Sequence, residues 1–167
     1  LMPVLFPAQT TTRVMMQYDS KWGNPTDDYD LYVTDVAAQT LFGKSDTSQG
    51  TGAGENPYPK EEVQISNSGT TDVWAFVLVN RFSGVNRNMK LLVLSGTMDS
   101  RYQTKSGSIL GNNKAKDALV VGAIDASDSG NDLIESFSSQ GPSIVTWPTP
   151  VTWNKPDITG IDGVFVS

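Results

Sequence analysis

The 167-residue sequence contains no histidine and no cysteine. Without histidine, the chain cannot hold a complete Ser-His-Asp triad, a Cys-His pair or a histidine-ligated metal. Without cysteine, it cannot form disulfides, thiolate zinc sites or iron–sulfur clusters. The sequence therefore excludes these kinds of catalytic and metal centre from the chain itself.

Basic side chains and long apolar runs are also scarce. The chain has 12 Lys and Arg against 18 Asp and Glu, which gives a formal net charge of −6. Because binding to phosphate backbones requires clustered basic groups, we expect no nucleic-acid partner. No apolar run approaches the roughly 18 residues of a membrane span. The pattern of a secretory signal is missing, and both ends look cut, so we expect a piece of a longer protein.

Residues 1–98 show the sequence pattern of short strands separated by turns. Tyr29, Leu31 and Val33 alternate with polar residues, which predicts a strand with one buried face. Residues 73–79 are apolar on both faces, which predicts a central strand. Residues 43–59 are rich in Gly and polar side chains, and predict a long mobile loop. The predicted strands are 11–18, 29–33, 61–66, 73–80 and 88–95. This series, with no helical periodicity, predicts an antiparallel sandwich or jelly roll.

Residues 99–167 show a different sequence pattern. The apolar run 118–124 lacks alternation and is typical of a strand that is covered on both faces. Residues 141–156 contain four Pro and two Trp and predict irregular structure, whereas 163–166 predict another strand. Because this half is too short to close a core, we expect residues 118–167 to be poorly ordered or to dock on a neighbouring molecule. Exposed strand edges also favour self-association.

Three motifs in the second half carry a family resemblance. They are Val-Gly-Ala at 121–123, Phe-Ser-Ser-Gln-Gly-Pro at 137–142 and Lys-Pro-Asp-Ile at 155–158. In this order and at these spacings, they resemble the subtilisin-like serine proteases over residues 108–167. One departure is Thr-Gly-Ile-Asp-Gly at 159–163, where the family usually has Ala-Pro-Gly.

The resemblance implies that the catalytic machinery lies outside this chain. In that family, the catalytic Asp and His precede this region, and a Gly-Thr-Ser motif with the nucleophile follows the third motif. The chain contains no Gly-Thr-Ser, so we expect no catalytic residue in it and no activity from it alone. Gly111-Asn112 is similar to the family's oxyanion-hole pair. However, only Ile109-Leu110 precede it as apolar residues, which favours an ordinary turn. The implied whole protein is a secreted endopeptidase acting on protein or peptide substrates.

Residues 1–98 resemble the jelly-roll pre-peptidase C-terminal domains of secreted bacterial proteases. The resemblance rests on Gln-Tyr-Asp-x-x-Trp-Gly at 17–23 and Asp-Tyr-Asp-Leu-Tyr-Val at 28–33. Such domains are non-catalytic. The combined expectation is a mainly β chain: an inserted antiparallel β-sandwich or jelly roll at 1–98, followed by a partial subtilisin-like α/β segment at 99–167.

Four carboxylates lie close together in sequence before the second predicted strand. Asp19, Asp27, Asp28 and Asp30 are candidate ligands for calcium, the only cofactor that the sequence suggests, because Ca²⁺ takes six to eight oxygen ligands. The family's frequent use of calcium favours this interpretation. The alternative is that these carboxylates are simply solvated.

Two groups of aromatic residues admit two interpretations each. Trp22, Tyr29 and Tyr32 form either an exposed platform for a sugar ring or peptide, or ordinary core and rim packing. Trp147 and Trp153 either line the substrate groove of the whole protein or cover a core. The sequence thus leaves three functions open: a fragment of a secreted protease, a cell-surface β-sandwich that binds glycan or matrix protein, or a structural or interaction domain without a ligand.

Overall fold

The computed structural model describes residues 1–147 and 149–164. The chain divides into two compact units, Leu1–Gln103 (unit 1) and Thr104–Ser167 (unit 2). The described residues form strands and two short 3₁₀ turns, Ser100–Tyr102 and Gly111–Lys114, without an α-helix. The predicted mainly β fold is therefore confirmed.

Unit 1 contains eight strands in two antiparallel sheets. The strands are β1 (Met2–Phe6), β2 (Thr10–Tyr18), β3 (Asp28–Asp35), β4 (Leu41–Ser45), β5 (Lys60–Asn67), β6 (Val73–Ser83), β7 (Met89–Leu94) and β8 (Thr97–Met98). One sheet has the order β4-β3-β6-β1-β8, and the other has the order β5-β2-β7. The predicted central position of 73–79 is confirmed, because β6 lies between β3 and β1.

The core of unit 1 is built by residues that alternate along these strands. Val14 and Met16 on β2 face inward from the smaller sheet, and Leu31 and Val33 on β3 face inward from the larger one. Side chains two apart on a strand lie on the same face, so each sheet contributes one apolar face to a shared core. The two sheets therefore pack as an antiparallel sandwich.

Three strands of unit 1, β1, β4 and the two-residue β8, fall outside the predicted set. β1 was not predicted, although its short apolar segment pairs with β6 from Met2 to Phe6. β4 overlaps the start of the predicted loop 43–59. Its Gly43 is required for packing: a Cβ there would approach methyl groups of Val63 and Ile65 to 2.9 Å. A glycine that indicated a mobile loop thus lies where a strand passes close to its neighbour.

The described residues of unit 2 form four short strands. They are β9 (Val121–Asp125), β10 (Ser143–Val145), β11 (Val151–Trp153) and β12 (Ile158–Asp162). β9 and β12 pair in parallel, with Ile158 opposite Val121, while β10 and β11 pair antiparallel. Residues 141–156 were predicted to be irregular, so the β10–β11 pair corrects that prediction.

Other predictions for unit 2 are corrected as well. β9 is not covered on both faces, because Val121 is exposed while Ile124 is buried. The strand predicted at 163–166 does not include Gly163 or Val164, and residues 165–167 lie outside the described residues. The paired strands of a compact unit count against poor order in 118–164. Docking on a neighbouring molecule stays a prediction.

Candidate functional site

The three motifs of the sequence resemblance meet around Gly122. A Cβ added to Gly122 would lie 3.1 Å from Pro156 Cγ of the third motif and 3.4 Å from Ser138 Oγ of the second. The N–H of Ala123 donates a hydrogen bond of 3.0 Å to Ser138 Oγ. The first motif therefore contacts both the second motif, through Ser138, and the third motif, through Pro156.

Lys155 fixes β12 beside the start of β9. Its side chain is only 4% exposed. The ammonium group donates to the carbonyl oxygens of Ala118 (2.6 Å) and Lys116 (3.2 Å), and to the carboxylate of Asp157 (2.8 Å). Asp157 also accepts a hydrogen bond of 2.8 Å from the N–H of Val120. A buried cation needs such a full set of partners, so the Lys-Pro-Asp motif has a defined structural role.

The same contacts change the electrostatics of Asp157. The hydrogen bond from Lys155 and then that from the N–H of Val120 lower the pKa of this carboxyl below its ordinary value. Asp157 therefore stays ionised and keeps its ion pair at neutral pH.

A histidine-dependent catalytic triad cannot form from the residues of this chain alone. With no histidine in the sequence, no side chain can act as the imidazole base of a triad. Gly111 and Asn112 lie in the 3₁₀ turn Gly111–Lys114, and the N–H of Ala115 donates to the carbonyl oxygen of Asn112. The pair occupies a turn, which is the ordinary interpretation of its sequence context.

Asp27, one of the four calcium candidates, is held by an ion pair with Arg87. It is 1% exposed, and Oδ2 accepts hydrogen bonds from Arg87 Nε (2.8 Å) and Ser20 Oγ (3.0 Å). Burial by itself would raise the pKa of Asp27. The hydrogen bonds from the N–H of Val85, from Arg87 and from Ser20 outweigh burial, so the pKa is lowered. An arginine here already supplies the positive charge that a cation would bring.

The other three calcium candidates bind different partners. Asp19 Oδ2 accepts from Asn88, and Asp28 Oδ1 accepts from the N–H of Gln49. Asp30 Oδ2 accepts from Asn80 at 2.9 Å. Among the described residues, no group of three or more acidic side chains is placed to hold a metal ion. The prediction that Asp19, Asp27, Asp28 and Asp30 form one calcium site is therefore not supported, because residues close in sequence face separate hydrogen-bonding partners.

Sequence reasoning missed a buried polar network around Glu61 on β5. Ser45 Oγ and Gln49 Nε2 each donate to one carboxylate oxygen of Glu61. Gln49 Oε1 in turn accepts from the hydroxyl of Tyr18 (2.9 Å) and the N–H of Tyr29 (2.7 Å). The available signal was periodicity: Glu61, two residues before Val63 and four before Ile65, occupies an inward-facing position of its strand.

Burial dominates the electrostatics of this network. Burial first, and then the negative charges of Asp30, Asp28 and Asp46, raise the pKa of Glu61 to about 7, against the opposing hydrogen bond from Ser45. Burial also raises the pKa of the Tyr18 hydroxyl. Glu61 therefore titrates near neutral pH although an ordinary glutamate does so near pH 4.

The predicted aromatic platform is not formed. Tyr29 is buried, lies 4.8 Å from the ring of Tyr18 and donates its hydroxyl to the carbonyl oxygen of Val85. Tyr32 is half-buried and donates to Asp30. Trp22 is exposed but pairs with Tyr58, at a ring-centroid distance of 5.3 Å. The packing interpretation thus holds for Tyr29, whereas Trp22 pairs with Tyr58, a residue outside the predicted group.

The two tryptophans of unit 2 differ in exposure. Trp147 is exposed, whereas Trp153 on β11 is half-buried, with the ammonium of Lys116 5.9 Å from its ring centroid. This distance falls within the range of a cation–π contact. Trp153 therefore contributes to the packing of unit 2.

The comparisons with known proteins leave the sequence motifs as the basis for interpretation. No family model, no curated protein and no solved structure matches the chain. In residues 1–147 and 149–164, no helix has the length and apolarity needed to cross a bilayer.

Proposed function

We propose that this chain is a non-catalytic part of a secreted subtilisin-like serine endopeptidase that hydrolyses peptide bonds. The observation that supports the proposal is the convergence of the three motifs on Gly122, where Ser138 and Pro156 lie within 3.4 Å of the position of a Cβ.

The parallel pairing of β9 and β12 is in keeping with this proposal. Parallel strands need a crossover connection and occur almost only in α/β proteins with further layers around the sheet. In the whole protein, these two strands would be part of a larger parallel sheet. The unit would supply scaffold, with its Lys155 anchor holding the third motif in register.

The chemistry of the whole protein would be acyl transfer to a serine. A serine hydroxyl attacks the peptide carbonyl, a histidine accepts its proton, and an aspartate orients the histidine. These three residues are proposed to lie outside the 167 residues. Unit 1 is proposed to be an inserted, non-catalytic sandwich.

The complete reading frame that encodes this chain provides the test. We expect catalytic Asp and His segments before residue 1 and a Gly-Thr-Ser motif shortly after residue 167. The expressed whole protein should hydrolyse casein and react with a fluorophosphonate probe, which labels activated serines. The 167-residue chain should do neither.

The Gly-Thr-Ser serine supplies the control. Its replacement by alanine in the whole protein should abolish both casein hydrolysis and labelling while leaving the protein folded. A reading frame that lacks these three segments would overturn the proposal. So would a folded whole protein that contains them but shows neither activity. Binding of glycan or matrix protein in their place would favour the surface-module alternative.

A further inference from the structure

Glu61 joins three parts of unit 1 at one buried point. It lies on β5, is 3% exposed, and accepts hydrogen bonds from Ser45 at the end of β4 and from Gln49 in the connection 46–59. Buried carboxyl groups are costly to ionise unless a cation or several donors compensate the charge. The charge state of Glu61 therefore affects the contacts that join β4, β5 and the connection 46–59.

Gln49 is the tether that ties the middle of the connection 46–59 to the sandwich. Its side chain is bonded to Glu61, Tyr18 and Tyr29, and its N–H donates to Asp28. The rest of the connection is mostly bonded to itself, for example from the N–H of Gly50 to the carbonyl oxygen of Asn56 (2.9 Å). Near the C-terminal end of the connection, the N–H groups of Tyr18 and Gly23 donate to the carbonyl oxygens of Pro59 and Pro57 respectively. The centre of this connection thus depends on Gln49 and its partners.

The charges around Glu61 oppose its ionisation. Asp28 and Asp30 on β3 and Asp46 after β4 all act on it as like charges, and the hydroxyl of Tyr18 on β2 is part of the same network. Lys44 is engaged with Asp46 in an ion pair of 2.5 Å. Arg87 pairs with Asp27 at 2.8 Å. Lys44 and Arg87 are therefore bound to carboxylates other than that of Glu61.

We propose that Glu61 is a pH-controlled latch that holds the connection 46–59 on unit 1 when neutral and loosens it when ionised. An ionised Glu61 keeps the two donors Ser45 and Gln49, but these neutral groups compensate a buried charge less fully than water does. The element that can move to admit water is the connection, since the other walls are strands of the sandwich. The raised pKa of Glu61, about 7 against an ordinary 4.5, places the change close to neutral pH.

The direction of the effect follows from proton linkage. The closed state binds the proton more tightly than the open state, so raising the pH from 4.5 through 7 favours opening. With those two pKa values, the opening equilibrium should rise roughly 27-fold between pH 5.5 and pH 8.0 and then level off.

Hydrogen exchange of the full chain, followed by mass spectrometry at pH 5.5, 6.5, 7.5 and 8.0, tests the latch. Protection factors corrected for intrinsic exchange should fall for peptides within 46–59 and stay unchanged for β6. No change in 46–59 would overturn the proposal. An equal loss in β6 would overturn it too, because it would indicate global rather than local opening.

One variant and one matched control assign the effect to Glu61. Glu61→Gln cannot ionise, so its protection of 46–59 should be independent of pH. Glu62→Gln alters the neighbouring glutamate, which is paired with Arg13 on the surface, and should behave like the wild-type chain. Wild-type behaviour in Glu61→Gln, or a flat profile in Glu62→Gln, would contradict the assignment.

A third variant covers the case in which Glu61→Gln does not fold. Asp46→Asn removes one like charge from an exposed position and lowers the pKa of Glu61. Its pH dependence in 46–59 should be smaller and centred at lower pH than that of the wild-type chain. An unchanged profile would overturn the latch.

Discussion

The two units of this protein differ in what holds them together. Unit 1 buries an apolar cluster contributed by both sheets, including Val4, Val14, Leu31 and Val77 with no exposed surface. Among the described residues of unit 2, the buried apolar side chains are Ile109, Val120 and Ile124. Burial of apolar surface is the main favourable contribution to folding, at about 25 cal/mol per Å². Unit 1 therefore has the larger hydrophobic stabilisation.

Unit 2 depends more on polar contacts. Its parallel pair is fixed by the buried ammonium of Lys155, while Val121, Ile158 and Ile161 on the same two strands are exposed. Parallel sheets are normally covered on both faces. Strands with similar sequence patterns therefore differ in how they are stabilised, because a strand is stabilised by the groups that cover its faces.

The sharpest test of this comparison makes the same substitution in each unit. Leu31→Ala removes a fully buried side chain and should lower the free energy of unfolding of unit 1 by about 2–5 kcal/mol. Leu133→Ala removes a side chain that is 68% exposed and should change stability by less than about 0.5 kcal/mol. Urea unfolding followed by far-ultraviolet circular dichroism measures both. Equal effects would show that the units are stabilised alike.

A smaller effect is expected from the polar anchor of unit 2. Lys155→Met keeps the aliphatic stem but removes the donor to the carbonyl oxygens of Lys116 and Ala118, which should cost about 1–3 kcal/mol. Hydrogen exchange at Val121–Asp125 should accelerate, whereas exchange in β6 should not. The matched control is Lys105→Met at an exposed position. If both variants left β9 equally protected, the anchor would carry no stability.

The smallest effect concerns calcium. Because Asp27 is paired with Arg87 and the described acidic residues form no metal-binding group, addition of a chelator should leave the thermal midpoint of unit 1 unchanged. A ligand that binds only the folded state at 100 times its dissociation constant would stabilise it by about 2.7 kcal/mol. A clear fall in the midpoint with chelator, reversed by Ca²⁺, would contradict this expectation.

Much of unit 1 could be predicted from its pattern. Alternation located β3, the series of short segments between turn signals located β2 and β5, and the doubly apolar run 73–79 located the central strand β6. The prediction failed at β4, where Gly43 was interpreted as a sign of flexibility. Its actual role depends on Val63 and Ile65 from a distant part of the chain. No local pattern contains that information.

The candidate sites were less predictable. The acidic residues before β3 were grouped by sequence, but each one faces a different partner. Glu61 was overlooked as a site, since its partners Ser45 and Gln49 come from a segment that was predicted to be mobile. Charge compensation is a three-dimensional property, so spacing along the chain predicts it poorly.

The amino-acid pattern was sufficient to predict the mainly β class, through its two-residue periodicity, and the composition excluded histidine and cysteine chemistry. The sequence also contains the three motifs that led to the proposed protease origin. Three properties became visible only in the folded chain: which carboxylate is ionised easily, which glycine is needed for close packing and which apolar residues are covered. These properties depend on neighbours brought together by folding, because desolvation, hydrogen bonding and packing act through space rather than along the chain.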